Sequence, residues 1–231
     1  MNNGLSEVLK IYATQNHKAL NLHLLDLSKD AIISLFNELL TTYINDKNSS
    51  TLREFITVNL SGYQHSQGKI GYNGYKHLSA IAGKPLMCEA KPKNFDTREL
   101  ENFKNGLRKS KPSSLNGGGN FTDYTIARFE KDQKENPHLL VSGFVDGKLI
   151  YIFEFPFTSP TFLEKLGKQL RKKFIDGDKK NTYLRGASFD YNDFIKCNNL
   201  KLNYLLPQDE LTHYKNFINR KFYLWMTTKT K

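Results

Sequence analysis

One segment near the middle of the chain constrains the fold more than any other: residues 138–155 read HLLVSGFVDGKLIYIFEF. Two apolar runs separated by Asp146-Gly147 predict a β-hairpin, because Asp-Gly favours a type I′ turn whose twist matches that of the flanking strands. The second arm, LIYIFEF at 149–155, is apolar on both faces, which indicates a strand in the middle of a sheet. Such a strand needs other elements packed on both of its faces.

Helical spacing on either side of this hairpin supplies those elements. Apolar residues recur with helical periodicity over 5–12, with Ser6 as a possible cap, and over 32–43 after a Ser28 cap. The pattern also predicts a strand at 85–90, closed by Lys91-Pro92, and a crossover helix within 94–107. A helix over 121–136 is capped by Thr122 or Asp123, and a basic helix that ends at Phe174 is capped by Ser159 or Thr161. The last predicted helix covers 208–219. We therefore expect an α/β fold, a mixed β-sheet flanked by helices.

The length of 231 residues predicts a single domain. We divide it into a helical N-terminal part at 1–60, a sheet core at 61–175 and a C-terminal extension at 176–231. No apolar run reaches the ~18 residues of a membrane span, and no leader pattern opens the chain. Two cysteines cannot form a disulfide framework. We expect a cytoplasmic protein without a membrane partner.

The net charge points toward a polyanion, because 34 Lys and Arg against 23 Asp and Glu leave +11. Nucleic acid is the first candidate and an anionic membrane surface the second. Side chains expected to contact DNA are Lys93, Lys109, Lys111, Asn120, Lys168, Arg171 and Lys172. For the basic helix, a solvated face with no ligand is an equal alternative. The 22 Asn and 6 Gln against 7 Arg favour an A·T-rich site, although an A·T-rich genome would encode the same bias.

The tripeptide Glu89-Ala90-Lys91 is the strongest chemical signal. In a strand, positions i and i+2 share a face, so the carboxylate and the ammonium project together with Cβ atoms about 6–7 Å apart. A carboxylate can bind a hard divalent cation, and a lysine can stabilise charge on a phosphate. The alternative is an ordinary exposed Glu-x-Lys pair, which is common by chance. Sixteen residues upstream, Asn73 lies between glycines in the turn 71–75.

This arrangement resembles the PD-(D/E)xK nuclease superfamily, and within it the type II restriction endonucleases most closely. The resemblance implies a restriction-endonuclease-like core with N-terminal helices, and a homodimer that hydrolyses double-stranded DNA at a short palindrome. The resemblance also implies that Asn73, Glu89 and Lys91 are catalytic residues. It implies that Asn73, Glu89 and the Ala90 carbonyl hold Mg²⁺. Asn73 departs from the family, which normally has Asp there. It is a natural variant, the mark of an inactivated form, or a wrong assignment.

Three other carboxylates are candidates for a role at the site or in the core. Glu38, on the helix over 32–43, is a possible additional acid, with a solvated helix position as the alternative. Asp123 is another, with a helix cap as the alternative. Glu154 lies in the apolar hairpin arm, where an unpaired carboxylate is costly, so we expect an edge position or a buried pair.

Two rival functions remain open at this point. One is a DNA-binding regulator without catalysis, in which Glu89-Ala90-Lys91 is incidental. The other is a structure-specific nuclease of repair or recombination. The chain has no Walker A or dinucleotide fingerprint, so no nucleotide cofactor is expected.

Overall fold

The computed structural model describes residues 3–45, 50–66, 71–77, 83–175 and 182–229. The helices are α1 Asn3–Thr14, α2 His17–Leu25, α3 Lys29–Asn45, α4 Ser50–Leu60, α5 Thr97–Lys104, α6 Ile126–Glu135, α7 Pro160–Lys173, α8 Gln208–His213 and α9 Arg220–Thr227. The strands are β1 Gln64–His65, β2 Gly74–Lys76, β3 Leu86–Phe95, β4 Gly119–Tyr124, β5 His138–Val145, β6 Lys148–Pro156, β7 Leu184–Phe189 and β8 Lys201–Leu205.

Six of the described strands form a mixed sheet in the order β1-β2-β3-β5-β6-β8. Strands β3 and β5 run parallel, and the other neighbours are antiparallel. The predicted hairpin is confirmed as β5 and β6, with Asp146 at φ 48° and Gly147 at φ 85°, as a type I′ turn requires. The expected α/β class, a mixed sheet flanked by helices, is confirmed.

The two faces of this sheet are covered by different layers. On one face an aromatic core joins β6 to α7, α9 and the separate β4–β7 pair, with Phe155, Phe162 and Phe222 completely buried. On the other face α1 and α4 cover Phe144 and Ile152. The central strand β6 is therefore buried from both sides, as its sequence predicts.

Strand β3 is longer than its sequence suggests. The prediction that Lys91-Pro92 closes the strand is wrong, because β3 continues to Phe95 and pairs with β5 throughout Cys88–Phe95. The N–H of Ala90 points away from β5, since it donates to a side chain near β2. By the alternation of a strand, the missing N–H of Pro92 points the same way, beyond the end of β2, so no ladder hydrogen bond is lost.

The predicted helix over 121–136 is wrong in its first turn, because residues 121–124 belong to strand β4. Pairing with β7, which lies far along the chain, overrides the local pattern here. The helix begins only at Ile126, where the Thr125 side chain accepts from Arg128 N, so neither Thr122 nor Asp123 is the cap.

Smaller errors concern helix ends. Helix α1 begins at Asn3, so Ser6 is not its cap, and α2 was not predicted. Ser159 occupies the N-cap position of α7 without a side-chain cap bond. The helix expected over 208–219 ends at His213 and is followed by a 3₁₀ turn. The Ser28 cap is confirmed, since its Oγ accepts from Ala31 N.

None of the helices in the described ranges is both long and apolar enough to cross a bilayer.

Candidate active site

A cleft opens along the edge of β3 that β2 leaves uncovered. Strand β2 pairs with β3 only over Leu86–Cys88, and none of the other described strands lies beside the later residues of β3 on that side. We call this feature, with a volume of about 540 Å³, the edge cleft. Its lining residues are Ser50, Glu54, Ala90, Lys91, Pro92, Lys93, Asn116, Gly118, Gly119, Asn120, Thr122, Ser188 and Phe189. The edge cleft thus lies between α4 on one side and the β4–β7 pair on the other.

Glu89 and Lys91 project from the same face of β3, as the strand pattern predicts. The Lys91 ammonium lies 2.8 Å from Oε1 of Glu89 and 4.4 Å from the centre of the Phe121 ring. Nη2 of Arg128, on α6, approaches the same Oε1 at 3.3 Å. Glu89 is only 7% exposed, whereas Lys91 lines the edge cleft. The carboxylate is therefore held by two cations, one of which faces the open space.

A buried carboxylate behind Glu89 orients Arg128. Asp132 is 2% exposed and accepts hydrogen bonds from Tyr72 (2.9 Å) and Tyr124 (2.7 Å). Burial raises the pKa of Asp132, although the two phenols and the Arg128 guanidinium oppose that rise. Nε of Arg128 lies 3.7 Å from Asp132. Arg128 thus connects Asp132 to Glu89, and this network restricts the position of the Glu89 carboxylate.

Asn73 connects β3 to α4. Its Oδ1 accepts from the Ala90 N–H at 2.8 Å, and its Nδ2 donates to Oε2 of Glu54 at 3.1 Å. The Ala90 donor determines the amide orientation, because a flipped amide would place two donors together. Glu54 lines the edge cleft, so α4 brings a second carboxylate to the site.

Glu54 was missed by the sequence reasoning, which considered Glu38 and Asp123 as additional acids. No local signal could have identified it. Its relation to the site depends on how α4 packs on the sheet and on how the 71–75 turn meets β3.

Two of the predicted DNA contacts lie in the edge cleft beside Lys91. Lys93 donates to the Ser114 carbonyl (3.1 Å) and to Oδ1 of Asn116 (3.3 Å), and burial lowers the pKa of its ammonium. Asn120 lines the edge cleft from β4 and is exposed. The structure therefore brings Lys91, Lys93 and Asn120 together on one concave surface.

A close approach of β4 to Lys91 requires glycine at position 119. A Cβ atom there would lie 2.8 Å from Cβ of Lys91 and 2.7 Å from the Phe189 ring, which is closer than real contacts allow. Gly119 therefore permits the wall of the edge cleft to lie directly against the lysine.

The remaining predicted residues lie elsewhere. Lys109 and Lys111 are exposed before β4, and Lys168, Arg171 and Lys172 are exposed on α7. Helix α7 lies behind β7: its Gln169 side chain hydrogen-bonds both backbone groups of Ser188, and its Phe162 ring packs on Phe189. Glu38 lies on α3, and Asp123 is exposed on β4 with φ 50°. Neither carboxylate is part of the edge-cleft lining.

Of the two alternatives expected for Glu154, an edge position or a buried pair, the structure shows the buried, paired carboxylate. It is 1% exposed, on the sheet face opposite Glu89, and it accepts from Tyr63 (2.8 Å), His138 (2.5 Å) and Asn203 (2.8 Å), with the Lys76 ammonium at 3.4 Å. Burial alone would raise its pKa, but these hydrogen bonds hold it well below the usual range. Glu154 therefore stabilises the fold as an ionised, fully paired carboxylate.

The donors at the site are compatible with Mg²⁺. Within the described ranges no three His, Cys, Asp or Glu side chains are grouped to hold a metal. Mg²⁺, however, is commonly held by one or two carboxylates, with waters and substrate phosphates completing its shell. Glu54 and Glu89 supply carboxylates. The Ala90 carbonyl faces the uncovered edge, because it points to the same side as the Ala90 N–H. All of these donors are oxygen, as a hard cation requires.

Comparisons with known proteins add nothing to this geometry: no family model matches the chain, and no curated protein matches it. The interpretation of the site therefore depends on the contacts described above. These are a carboxylate–lysine pair on one strand face, a second carboxylate on a neighbouring helix, and a concave surface lined by cations.

Proposed function

We propose that this chain is a Mg²⁺-dependent, site-specific DNA endonuclease of the type II restriction kind. The observation that carries the proposal is the pair formed by Glu89 and Lys91. Both project from one face of β3; Lys91 lines the edge cleft, to which α4 brings Glu54, and Glu89 is the buried partner of Lys91. A carboxylate for a divalent cation and an ammonium for a phosphate, side by side at an open strand edge, suit phosphodiester hydrolysis.

The lining of the edge cleft supports DNA as the substrate. Lys91 and Lys93 supply positive charge for phosphates, and the chain as a whole carries +11. The side chains of Asn116, Asn120 and Ser188 supply amide and hydroxyl groups that can hydrogen-bond phosphates or base edges. Such a mixture of cations and short polar groups is typical of surfaces that bind nucleic acid.

The protein's own residues have separate roles in this proposal. Glu89, Glu54 and the Ala90 carbonyl would hold Mg²⁺, which when bound polarises the scissile phosphate and lowers the pKa of a water ligand. Lys91 stabilises the negative charge that develops on the phosphate. Asn73 maintains the spacing of β3 and α4 and can add its amide oxygen as a weak ligand. Arg128 keeps Glu89 oriented.

The proposal also specifies the oligomeric state of the protein and the DNA sequence that it cuts. A homodimer matches a palindromic site, because two-fold proteins recognise two-fold sequences. The excess of Asn and Gln over Arg favours A·T pairs in that site, since amide side chains pair well with adenine.

One observation favours a second function, a DNA-binding regulator without catalysis. Glu89 already has two cationic partners, Lys91 and Arg128. An ion cluster of this kind can have the purely structural role of holding β3 and α6 together. In that case the edge cleft binds DNA without cutting it.

Incubation with long duplex DNA, in Mg²⁺ or in EDTA, separates these functions. The proposed endonuclease gives discrete fragments in Mg²⁺ and none in EDTA, whereas a regulator shifts the DNA in gels and leaves it intact. Cleavage restricted to branched DNA would identify a structure-specific nuclease instead. The Lys91→Ala variant is the matched control, because fragments that persist in it come from a contaminating nuclease or from another site.

A further inference from the structure

Helix α3 exposes a continuous apolar surface. Leu35 is the only buried residue among positions 29–43, and it belongs to the core that α1 and α4 form against the sheet. Six large apolar side chains of α3 are exposed instead, and we call them the α3 stripe: Ile32, Ile33, Phe36, Leu39, Leu40 and Tyr43. Leu22 and Leu25 of α2, the helix that precedes α3 along the chain, are exposed as well. An apolar helix face of this length normally packs against another surface.

The spacing within the α3 stripe is that of a helix-pairing seam. Ile32, Phe36, Leu39 and Tyr43 follow one another at intervals of four, three and four residues. This alternation places a residue on the same side of the helix at every turn, as in the a and d positions of coiled coils. Ile33 and Leu40, seven residues apart, widen the seam on one flank. The natural complement of such a seam is another helix with the same pattern.

We propose that the α3 stripe, with Leu22 and Leu25, is the surface on which a second copy of this chain docks. Around a two-fold axis the same helix from each copy meets its equivalent, so one apolar surface complements itself. Taking roughly 200 Å² for a fully exposed large side chain, the exposed fractions of these eight residues amount to about 850 Å². A stable interface needs about 800 Å² from each partner. The α3 stripe together with Leu22 and Leu25 therefore exposes the area that a dimer requires.

The charge of this segment also suits a second copy. Residues 17–45 contain two lysines against three acidic residues, a net charge of −1 in a chain of +11. The remainder of the chain therefore carries the whole positive excess and repels its equivalent in another copy. Docking through α2 and α3 brings together the segment that lacks this repulsion, and none of the edge-cleft lining residues belongs to that segment.

This inference rests on the proposed function only in one respect, that a homodimer would match a palindromic site. The dimer itself is tested in the absence of DNA. Sedimentation equilibrium of the full chain at about 10 μM is expected to give twice the 26.7 kDa of one chain. The double variant Phe36→Glu, Leu40→Glu places four like charges in the interface. It should raise the dimer dissociation constant by at least about 100-fold and sediment as one chain.

Ser34→Glu is the matched control, because Ser34 is exposed on the opposite side of α3. It adds the same charge to the same helix, and it should remain dimeric. Phe36→Ala, which adds no charge, should weaken the dimer by about tenfold or more. Circular dichroism and thermal unfolding verify that each variant is folded, which the exposure of the substituted residues predicts.

A wild-type chain that sediments as a monomer overturns the proposal, and so does a double variant that dimerises as tightly as the wild type. A DNA cleavage assay on the same samples separates this inference from the nuclease proposal. Loss of the dimer in the double variant supports the docking surface even when no sample cleaves DNA. Cleavage by a monomeric wild type supports the nuclease and refutes the docking surface.

Discussion

Replacing Asn73 with Asp tests the site directly, because residue 73 contacts both β3 and α4. In the native chain its Oδ1 accepts from Ala90 N and its Nδ2 donates to Oε2 of Glu54 at 3.1 Å. Asp retains the acceptor for Ala90. It replaces the donor with a carboxylate oxygen that faces the carboxylate of Glu54. Asn73→Asp therefore exchanges an attractive contact for a like-charge contact at nearly the same distance.

The magnitude follows from that distance. Two unit charges about 3 Å apart repel by ~5 kcal/mol at an effective dielectric constant of ~20. Both residues are partly exposed, so screening and relaxation of the side chains reduce this repulsion to roughly 2 kcal/mol. Loss of the amide-to-carboxylate hydrogen bond adds about 1 kcal/mol. A total of about 3 kcal/mol lowers the Tm by roughly 6–12 °C in a chain of this size.

Mg²⁺ should reverse this loss, because a divalent cation between the two carboxylates converts repulsion into binding. At a concentration ~100-fold above its dissociation constant, Mg²⁺ raises the free energy of unfolding of the variant by about 2.7 kcal/mol. Scanning calorimetry in EDTA and in a Mg²⁺ series measures both effects and requires no catalysis. Cleavage titrated with Mg²⁺ provides the second readout. An inactivated native site predicts strong cleavage by Asn73→Asp at lower Mg²⁺. An adapted native site predicts a change within about tenfold.

Asn73→Ala is the control, since it loses both hydrogen bonds and adds no charge. It should be less stable than the wild type and should not respond to Mg²⁺. If Asn73→Asp melts at the wild-type temperature in EDTA and does not respond to Mg²⁺, then residue 73 and Glu54 are not neighbours. The assignment of Asn73 to the site would then be wrong.

Three other predictions concern single features of the structure. Lys91→Ala should reduce the cleavage rate by ~10²-fold or more while duplex affinity changes much less, and full activity in this variant would remove Lys91 from the mechanism. Neutralising Arg171 and Lys172 on α7 should flatten the slope of log K against log[salt] by about 2, and an unchanged slope would show that this helix is a solvated face. Glu154→Gln should lower the Tm by about 10 °C at neutral pH, because it leaves buried partners unpaired. Since the pKa of Glu154 is held low, its stabilisation is complete above the unfolded pKa of about 4.3 and is lost as the pH falls below it. In thermal scans the Tm of Glu154→Gln should not show this additional decrease at acidic pH. An equal decrease in both proteins would contradict the role of Glu154 as an ionised, paired carboxylate.

The amino-acid sequence determined the features that depend on neighbours along the chain. The hairpin of β5 and β6 could be predicted because its turn residues and both strands lie within 138–156. The apolar stripe of α3 and its Ser28 cap follow from residue spacing within one segment, whereas the exposure of that stripe does not. The shared face of Glu89 and Lys91 follows from the two-residue period of a strand.

Only the tertiary structure decided the features that depend on contacts between distant segments. The sequence predicts helix where β4 forms, because the partner of β4, β7, lies about sixty residues further along and no local period encodes that pairing. The contacts of Glu54 with Asn73 and of Arg128 with Glu89 join residues 19 and 39 positions apart. Side chains on separate elements approach one another only after helices and strands have packed. The pattern of the sequence therefore indicated which residues carry the chemistry, and packing determined their neighbours.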